Sequence, residues 1–581
     1  MSFYRNLYKL LRQKLNKNMS SLTPSTSILG VRKAKHLLRR SCFQYSKAVL
    51  EQFALLTPEQ ALAQLTVEPT VFWEDPYDMK VYAQSGVSDD FWIHTPNTVP
   101  SDFPYGQFRK RGILSGWWWY NAYKQNNLKH KLIFFLHTTF TVSKDDGVGK
   151  SSYFYDYLKL LEFYAFGNIK TLAKKINYDN GMLNYLDNTT NNKNNPNENY
   201  AREFLELFTI LKGPQIGQGN YTNYTETDIQ TTAKVFSGIK MKPNRDVIDP
   251  DTGIPMGYAN VSQHNTDSKT FSNAFNNLTI TGQSDEVGIK QEVDDYVEMV
   301  FAQEATAKAY VRKIYRYFVK SEWGQEVEDD IITPLSAQLI ASDYDLLDVV
   351  KTLLESEHFY DEDDSDSSNE TIGSIVKNPI QLLSEALSLL QIELPDPSAS
   401  SANPPTTWTT DQDYFHKFYF NFCYFGYFAG SGMNPFSPET VAGYPGDYQT
   451  PDFDRSWFSS NTVISRYKLI ECFISGKNKI SSPNTNIWVL FNSVDYVHNS
   501  GNFSFASDAQ TLVTEISELL YCESIDQSRI DYFMTVLNEM DPSYWNSAWN
   551  NYLQTGVDVQ VKIRLDALFT KMINAPEFQL M

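Results

Sequence analysis

The chain predicts a mainly α-helical protein, a large multi-helix globular fold with a few short strands or irregular loops. Three observations carry this expectation. Apolar residues return at three- and four-residue spacing in segment after segment, the mark of helices with one buried face. Residues that cap helices stand immediately before several of those segments. The alternation expected of a half-buried strand is confined to two short stretches, WVLFNSV near Trp488 and NLTITG near Thr279.

The elements follow in order. KAKHLLRRSCFQYSKAVLEQFALLTPEQALAQL is helical and broken at Thr57-Pro58, an N-cap followed by a first-turn proline. SSYFYDYLKLLEFYAFGNIKTLAKKI reads as two helices meeting near Gly167-Asn168. In NPNENYAREFLELFTILKG, Asn195 is placed to cap, Pro196 fits the first helical position and Glu198 can reach back to the cap. TETDIQTTAKVFSGIK is opened by Thr225 or Thr227 and closed near Gly238. TAKAYVRKIYRYFVKSEW and DYDLLDVVKTLLESEHFY continue the pattern.

Two stretches break it. DEDDSDSSNE is an acidic solvated loop that lacks the central glycine of a calcium loop. PDPSASSANPPTTWTT has the composition of a tether. The expected organisation is a basic N-terminal tail (1–21), a main helical domain (22–360), an acidic mobile loop (361–372) and a C-terminal helical part (373–581) packed on the main domain.

Composition narrows the function classes. Hydrophobic residues make up 42% of the 581 and aromatics 14%, enough to bury a sizeable core. A net charge of −19 argues against general nucleic-acid binding, which needs a cationic surface. The first 50 residues hold eleven Lys or Arg and no acid, which leaves the remainder near −30. Within them, Phe3, Leu7, Leu10, Leu11 and Leu15 fall at helical spacing among basic residues, a docking or membrane-surface helix or simply a basic tail. No secretory signal and no 18-residue apolar span is evident, so the default compartment is the cytoplasm. Cys42, Cys423, Cys472 and Cys522 are scattered with no CxxC pair and read as buried thiols.

No GxSxG elbow, P-loop, HExxH or GxGxxG in a βαβ setting is present. The glycines of GPQIGQGN read as a turn, and Trp117 to Trp119 as mostly inward packing. GYPGD and YQTPDFDRSWF read as packed loops able to border a cleft. The helix of NENYAREFLELFT offers more. Asn199, Arg202, Glu203 and Glu206 fall in one stripe, with Tyr200, Ala201, Phe204, Leu207 and Phe208 opposite. Spacing alone explains this as an amphipathic helix with an Arg202–Glu206 pair worth a few tenths of a kcal/mol. Two carboxylates on one face can also hold a divalent metal or act as acid and base, given a histidine from another element. His137, among Phe134, Phe135, Leu136 and Phe140, reads as a core residue. His264 lies in a polar loop with Asp267 and Lys269.

These blocks resemble the bacterial proteins of domain-of-unknown-function family 1800. HLLRRSCFQ, KHKLIFFLHTTF, GMLNYLDNTTNN, NENYAREFLELFTI, YTETDIQTTAKVFSGI, QHNTDSKTF, VRKIYRYFV, KNPIQLL, MNPFSPETVAGYPGD and PEFQLM match in order, and the NENYAREFLELFT block is the most specific. The resemblance implies a largely helical fold and an envelope-associated process. It also implies a partner, a phosphatase- or sulfatase-like protein of domain-of-unknown-function family 1501. It places the family's first motif histidine on His137, with Thr139 at the second, and its "HD" histidine on His264, with Asn265 at the acid position. Both departures remove a side chain able to bind metal or move a proton.

Two readings result. The first is a non-catalytic scaffold or binding protein. The alternative is a metal-dependent or acid/base enzyme with Glu203, Glu206, His137 and His264 as catalytic residues. There Asn199 and Arg202 would bind substrate, and His137, Glu203 and Glu206 would hold a divalent metal.

Overall fold

The computed structural model describes residues 20–70, 106–363, 370–398 and 410–581. The basic tail expected over 1–21 lies almost wholly outside the described residues, as do the middle of the acidic run and most of the Pro/Ser tether. The fold is mainly α. Among the described residues, strands occur only as short antiparallel pairs: Gln215–Gly217 with Asn220–Tyr221, Ile239–Lys240 with Tyr258–Ala259, and Lys269–Thr270 with Thr279–Ile280. No helix among the described residues is long and apolar enough to cross a membrane.

Several helices start and stop where their sequences say. Thr57 and Gln60 form a reciprocal capping box with Pro58 in the first turn of Pro58–Leu65. Ser151–Tyr164 and Ile169–Ile176 are separate helices, the second capped by the Asn168 side chain. Glu226–Val235 opens on a Thr225/Asp228 box, and Gly238 at φ +78° turns the chain after it. NLTITG supplies the strand Thr279–Ile280. WVLFNSV does not form a strand: Trp488 sits at φ +57°, and Ile487 and Phe491 donate their N–H groups to Gly476 and Phe473 at the end of the helix Val463–Ser475. That helix end supplies the backbone partners a neighbouring strand would have given.

One continuous core runs from Leu29 to Phe578. It includes the helix Gln107–Lys124, whose Trp117, Trp118 and Trp119 are all buried. Phe418–Phe428, an 11-residue stretch of π-helix that continues Thr410–Lys417, lies against this helix. Gly112 and Gly116 make that approach possible. A Cβ at Gly112 would stand 2.5 Å from the Phe420 ring, and one at Gly116 3.0 Å from Tyr419.

A buried polar chain links other distant segments. Arg39 and Lys377 both pair with Glu385, at 2.7 and 3.0 Å. Gln381 bonds the other Glu385 oxygen at 3.3 Å and accepts from Lys131 at 2.7 Å. Glu385, Lys377 and Gln381 are wholly buried. Burial works to raise the Glu385 pKa, but Arg39 and Lys377 outweigh it and hold the carboxyl below its ordinary range.

Candidate functional site

The NENYAREFLELFT segment is helical, with two differences from expectation. The cap is Asn197, whose side chain accepts from the N–H of Asn199; Asn195 instead closes a small loop with Asn192. And the α-helix lasts only from Glu198 to Glu203, continuing as π-helix from Phe204 to Phe208. Tyr200, Ala201, Phe204, Leu205 and Phe208 face the core. The wider π turn takes Leu207 out of that buried set.

The exit of this turn is capped from outside. The last carbonyls of a helix need donors. Thr209 Oγ1 supplies Phe204, at 2.6 Å, and the Leu211 N–H supplies Leu205. The helix Glu304–Phe318 supplies the rest: Tyr310 donates to Phe208 at 2.7 Å and Lys313 to Leu207 at 2.6 Å. Leu211 at φ +60° and Gly213 at φ +67° then reverse the chain.

On the polar stripe, Arg202 grips Glu226 with both terminal nitrogens, at 2.5 and 3.1 Å. It also lies 3.4 Å from Glu198 and 3.6 Å from Glu206. Glu206 is paired with Lys212 at 2.9 Å. Glu203 makes no hydrogen bond among the described residues; burial and then the Glu206 charge raise its pKa. Asn199 is exposed and donates to the Leu186 carbonyl at 3.2 Å.

Neither histidine joins this stripe by a hydrogen bond or ion pair. His137 is wholly buried in a box of Phe134, Phe436, Tyr157 and Tyr444 rings. Tyr157 gives its single proton to the Phe140 carbonyl, so the 3.0 Å contact with His137 requires the hydrogen on Nδ1. Nε2 is left as a bare, unpartnered nitrogen. Burial, with a lesser contribution from Lys144, takes this imidazole down to a pKa of about 3.

His264 is also wholly buried. Its Nδ1 donates to the Ser237 carbonyl at 2.7 Å, and its Nε2 meets Glu292 at 3.2 Å. Glu292 is paired with Lys269 at 2.5 Å. His264, Glu292 and Lys269 thus form a closed polar cluster in the core. Among the described residues no three His, Cys, Asp or Glu side chains gather as a metal-ligand group.

A cavity of about 790 Å³ lies beside the stripe. Glu206 and Leu207 form one edge, and Lys131, Phe135 and Thr139 of the helix Leu128–Thr139 another. Arg312, Lys313, Arg316 and Tyr317 form the wall opposite. Gly446, Asp447, Asp454 and Trp457 close it. The GYPGD and YQTPDFDRSWF loops therefore border a cleft as well as packing. Of the residues singled out in the sequence, Glu206 lines the cavity, and so does Thr139, which stands at the family's second histidine position.

The charges here are unevenly matched. Arg312 is spent on Glu328. Arg316 lies over the Phe453 ring at 4.2 Å, has no ion pair among the described residues, and its buried Nε is unpartnered. Burial, helped by Arg316, takes Lys313 down to about 7. Burial pushes Asp447 up to about 7, opposed by Arg316. Sequence reading missed Lys313, Arg316 and Asp447. The signal available was two cations three residues apart on one face of VRKIYRYFV.

No curated protein and no solved structure matches the chain. Residues 36–580 match the family described as protein of unknown function (DUF1800). The blocks of that family that carry Lys131, Glu206, Arg316 and Asp447 converge on the one cavity. With nearly its whole length matched, the chain belongs to domain-of-unknown-function family 1800.

Proposed function

We propose that this chain is a non-catalytic binding protein, whose ligand occupies the cavity between the Glu206 turn and the Arg316 helix. The observation that supports the reading is the contrast between the two places. The histidines are locked into dry structural clusters, while an open volume collects charged side chains from several distant blocks. A volume of about 790 Å³ falls in the range of small-molecule sites. The envelope-associated process and the phosphatase- or sulfatase-like partner implied by the family resemblance are part of the same proposal.

Ala442 lines the cavity from a loop, outside any helix or strand, and a tryptophan there would occupy the volume. A thermal-shift screen of small organic acids, alcohols and amines should yield compounds that stabilise the protein and lose their effect in Ala442→Trp. Equal shifts in both proteins would count against the cavity.

A second reading has one observation in its favour. Glu203 has no hydrogen-bond or ion-pair partner among the described residues, and burial and Glu206 raise its pKa, the pattern of a carboxyl pair poised for acid/base work. Elemental analysis of the native protein, Glu203→Ala and His137→Ala tests its metal-dependent form. A stoichiometric metal lost from both variants would favour it, and none in the native protein would remove it.

A further inference from the structure

We propose that Arg316 and Lys313 form an oxyanion subsite within this cavity, taking the carboxylate, sulfate or phosphate group of a ligand with an apolar body. The inference rests on the binding-protein reading and adds the ligand's chemical class.

The argument begins with an uncompensated charge. Lys313 and Arg316 stand one turn apart on the helix Glu304–Phe318, a spacing that brings their side chains together. Burial lowers the pKa of both groups, and a neighbouring cation adds to it in each case: Arg316 for Lys313, and Arg312 for Arg316. Among the described residues neither has an acid within ion-pair distance. Lys313 donates to the Leu207 carbonyl, a single bond from a group with three donors. Arg316 stacks on Phe453 and leaves its buried Nε without a partner.

A guanidinium held like this in a half-buried wall is costly unless something negative completes it. The nearest candidate within the chain does not. Asp447 is close enough to influence Arg316 but does not pair with it, and one of its oxygens is itself buried and unpartnered. Asp454 accepts from the Val376 N–H at 2.7 Å and turns a second oxygen into the same unpartnered state. Asp447, raised to about 7 by burial, can in its protonated form donate a hydrogen bond to the ligand's oxyanion, while the two cations provide charge. Phe135, Leu207, Tyr317, Val441 and Trp457 give the cavity an apolar floor for the rest of the molecule. A planar guanidinium with an ammonium beside it is suited to a group bearing two or three equivalent oxygens.

The test uses the full chain and four probes: benzoate, phenyl sulfate, phenyl phosphate and the neutral benzyl alcohol. Binding is measured by calorimetry in chloride buffer on the native protein, Arg316→Gln, Lys313→Met and Ala442→Trp. At least one anion should bind the native protein ten-fold or more tighter than it binds Arg316→Gln, and more weakly to Lys313→Met than to native. The preferred anion identifies the oxyanion. Benzyl alcohol should bind native protein and Arg316→Gln alike and fail with Ala442→Trp. Among the described residues Arg316 makes no ion pair, so Arg316→Gln gives up only its ring stacking; a melting temperature within a few degrees of native separates lost binding from lost folding. Anions that bind both proteins equally would overturn the subsite. Benzyl alcohol bound without any anion would also overturn it, while leaving the cavity reading intact. No binding by any probe would overturn both.

Discussion

At the level of single side chains, burial decides which titratable groups can act. Asp447 shows it most directly. Its carboxyl is raised to about 7 in the folded chain, against an ordinary value near 4 when unfolded. Between those values the folded state keeps a proton that the unfolded state has released, so stability falls as pH rises from about 4 to about 7. Asp447→Asn should remove that slope, gaining on the native protein progressively across this window; denaturant titrations at pH 4.5 and pH 8 read the difference. In the core cluster of His264, Glu292 and Lys269 the charge pairing itself can be tested. Glu292→Gln leaves the buried Lys269 without its counter-charge and should cost about 3 kcal/mol in urea unfolding. His137 carries less. His137→Phe forfeits one bond to Tyr157 and relieves a bare nitrogen, a change of about 1 kcal/mol or less. The sequence marked His137 as a core residue because of its aromatic neighbours. It could not mark Arg316, because what distinguishes Arg316 is that, among the described residues, no acid from a distant segment pairs with it.

At the level of elements, most of the helix pattern was legible because periodicity and caps are local. Thr57-Pro58, Asn168 and Thr225 each act as their positions promise. The π-helices were not legible. Their i→i+5 bonding leaves no pattern in FLELF or FYFNFCYFGYF that differs from a well-packed α-helix. They change the face a residue presents, as Leu207 shows. The glycines opposite them give a sharp test. Alanine favours a helix over glycine by about 1 kcal/mol, yet at Gly112 it would drive a methyl into the Phe420 ring. Gly112→Ala should therefore destabilise the protein by roughly 1–3 kcal/mol, as thermal unfolding will show. Gly253, with open space but φ +72°, offers the contrast: Gly253→Ala should lose about 1 kcal/mol from backbone strain alone.

At the level of the whole molecule, the two halves of the chain share one core and one polar chain. Glu385→Ala would strand Arg39 and Lys377 in that core, and should cost about 3–5 kcal/mol. Because the Glu385 pKa is depressed on folding, the native pair's contribution is present above the ordinary carboxylate range and lost as pH falls below it. The variant should accordingly lose less than the native protein on acidification, measured by melting temperature at pH 7 and pH 4. This connection was illegible for a simple reason: Arg39 and Glu385 are 346 residues apart, and neither has a local signature.

The cavity also sets an order of events in the life of the chain. Its walls come from Lys131, Glu206, Arg316, Asp447 and Trp457, drawn from segments spread over more than half the sequence. During synthesis the earlier walls emerge long before the loop that closes them, and contacts so far apart form late. A ligand therefore meets a complete site only on a nearly finished molecule. Compounds that fit it would act as folding aids, holding the last loop in place and shielding newly made protein from proteolysis.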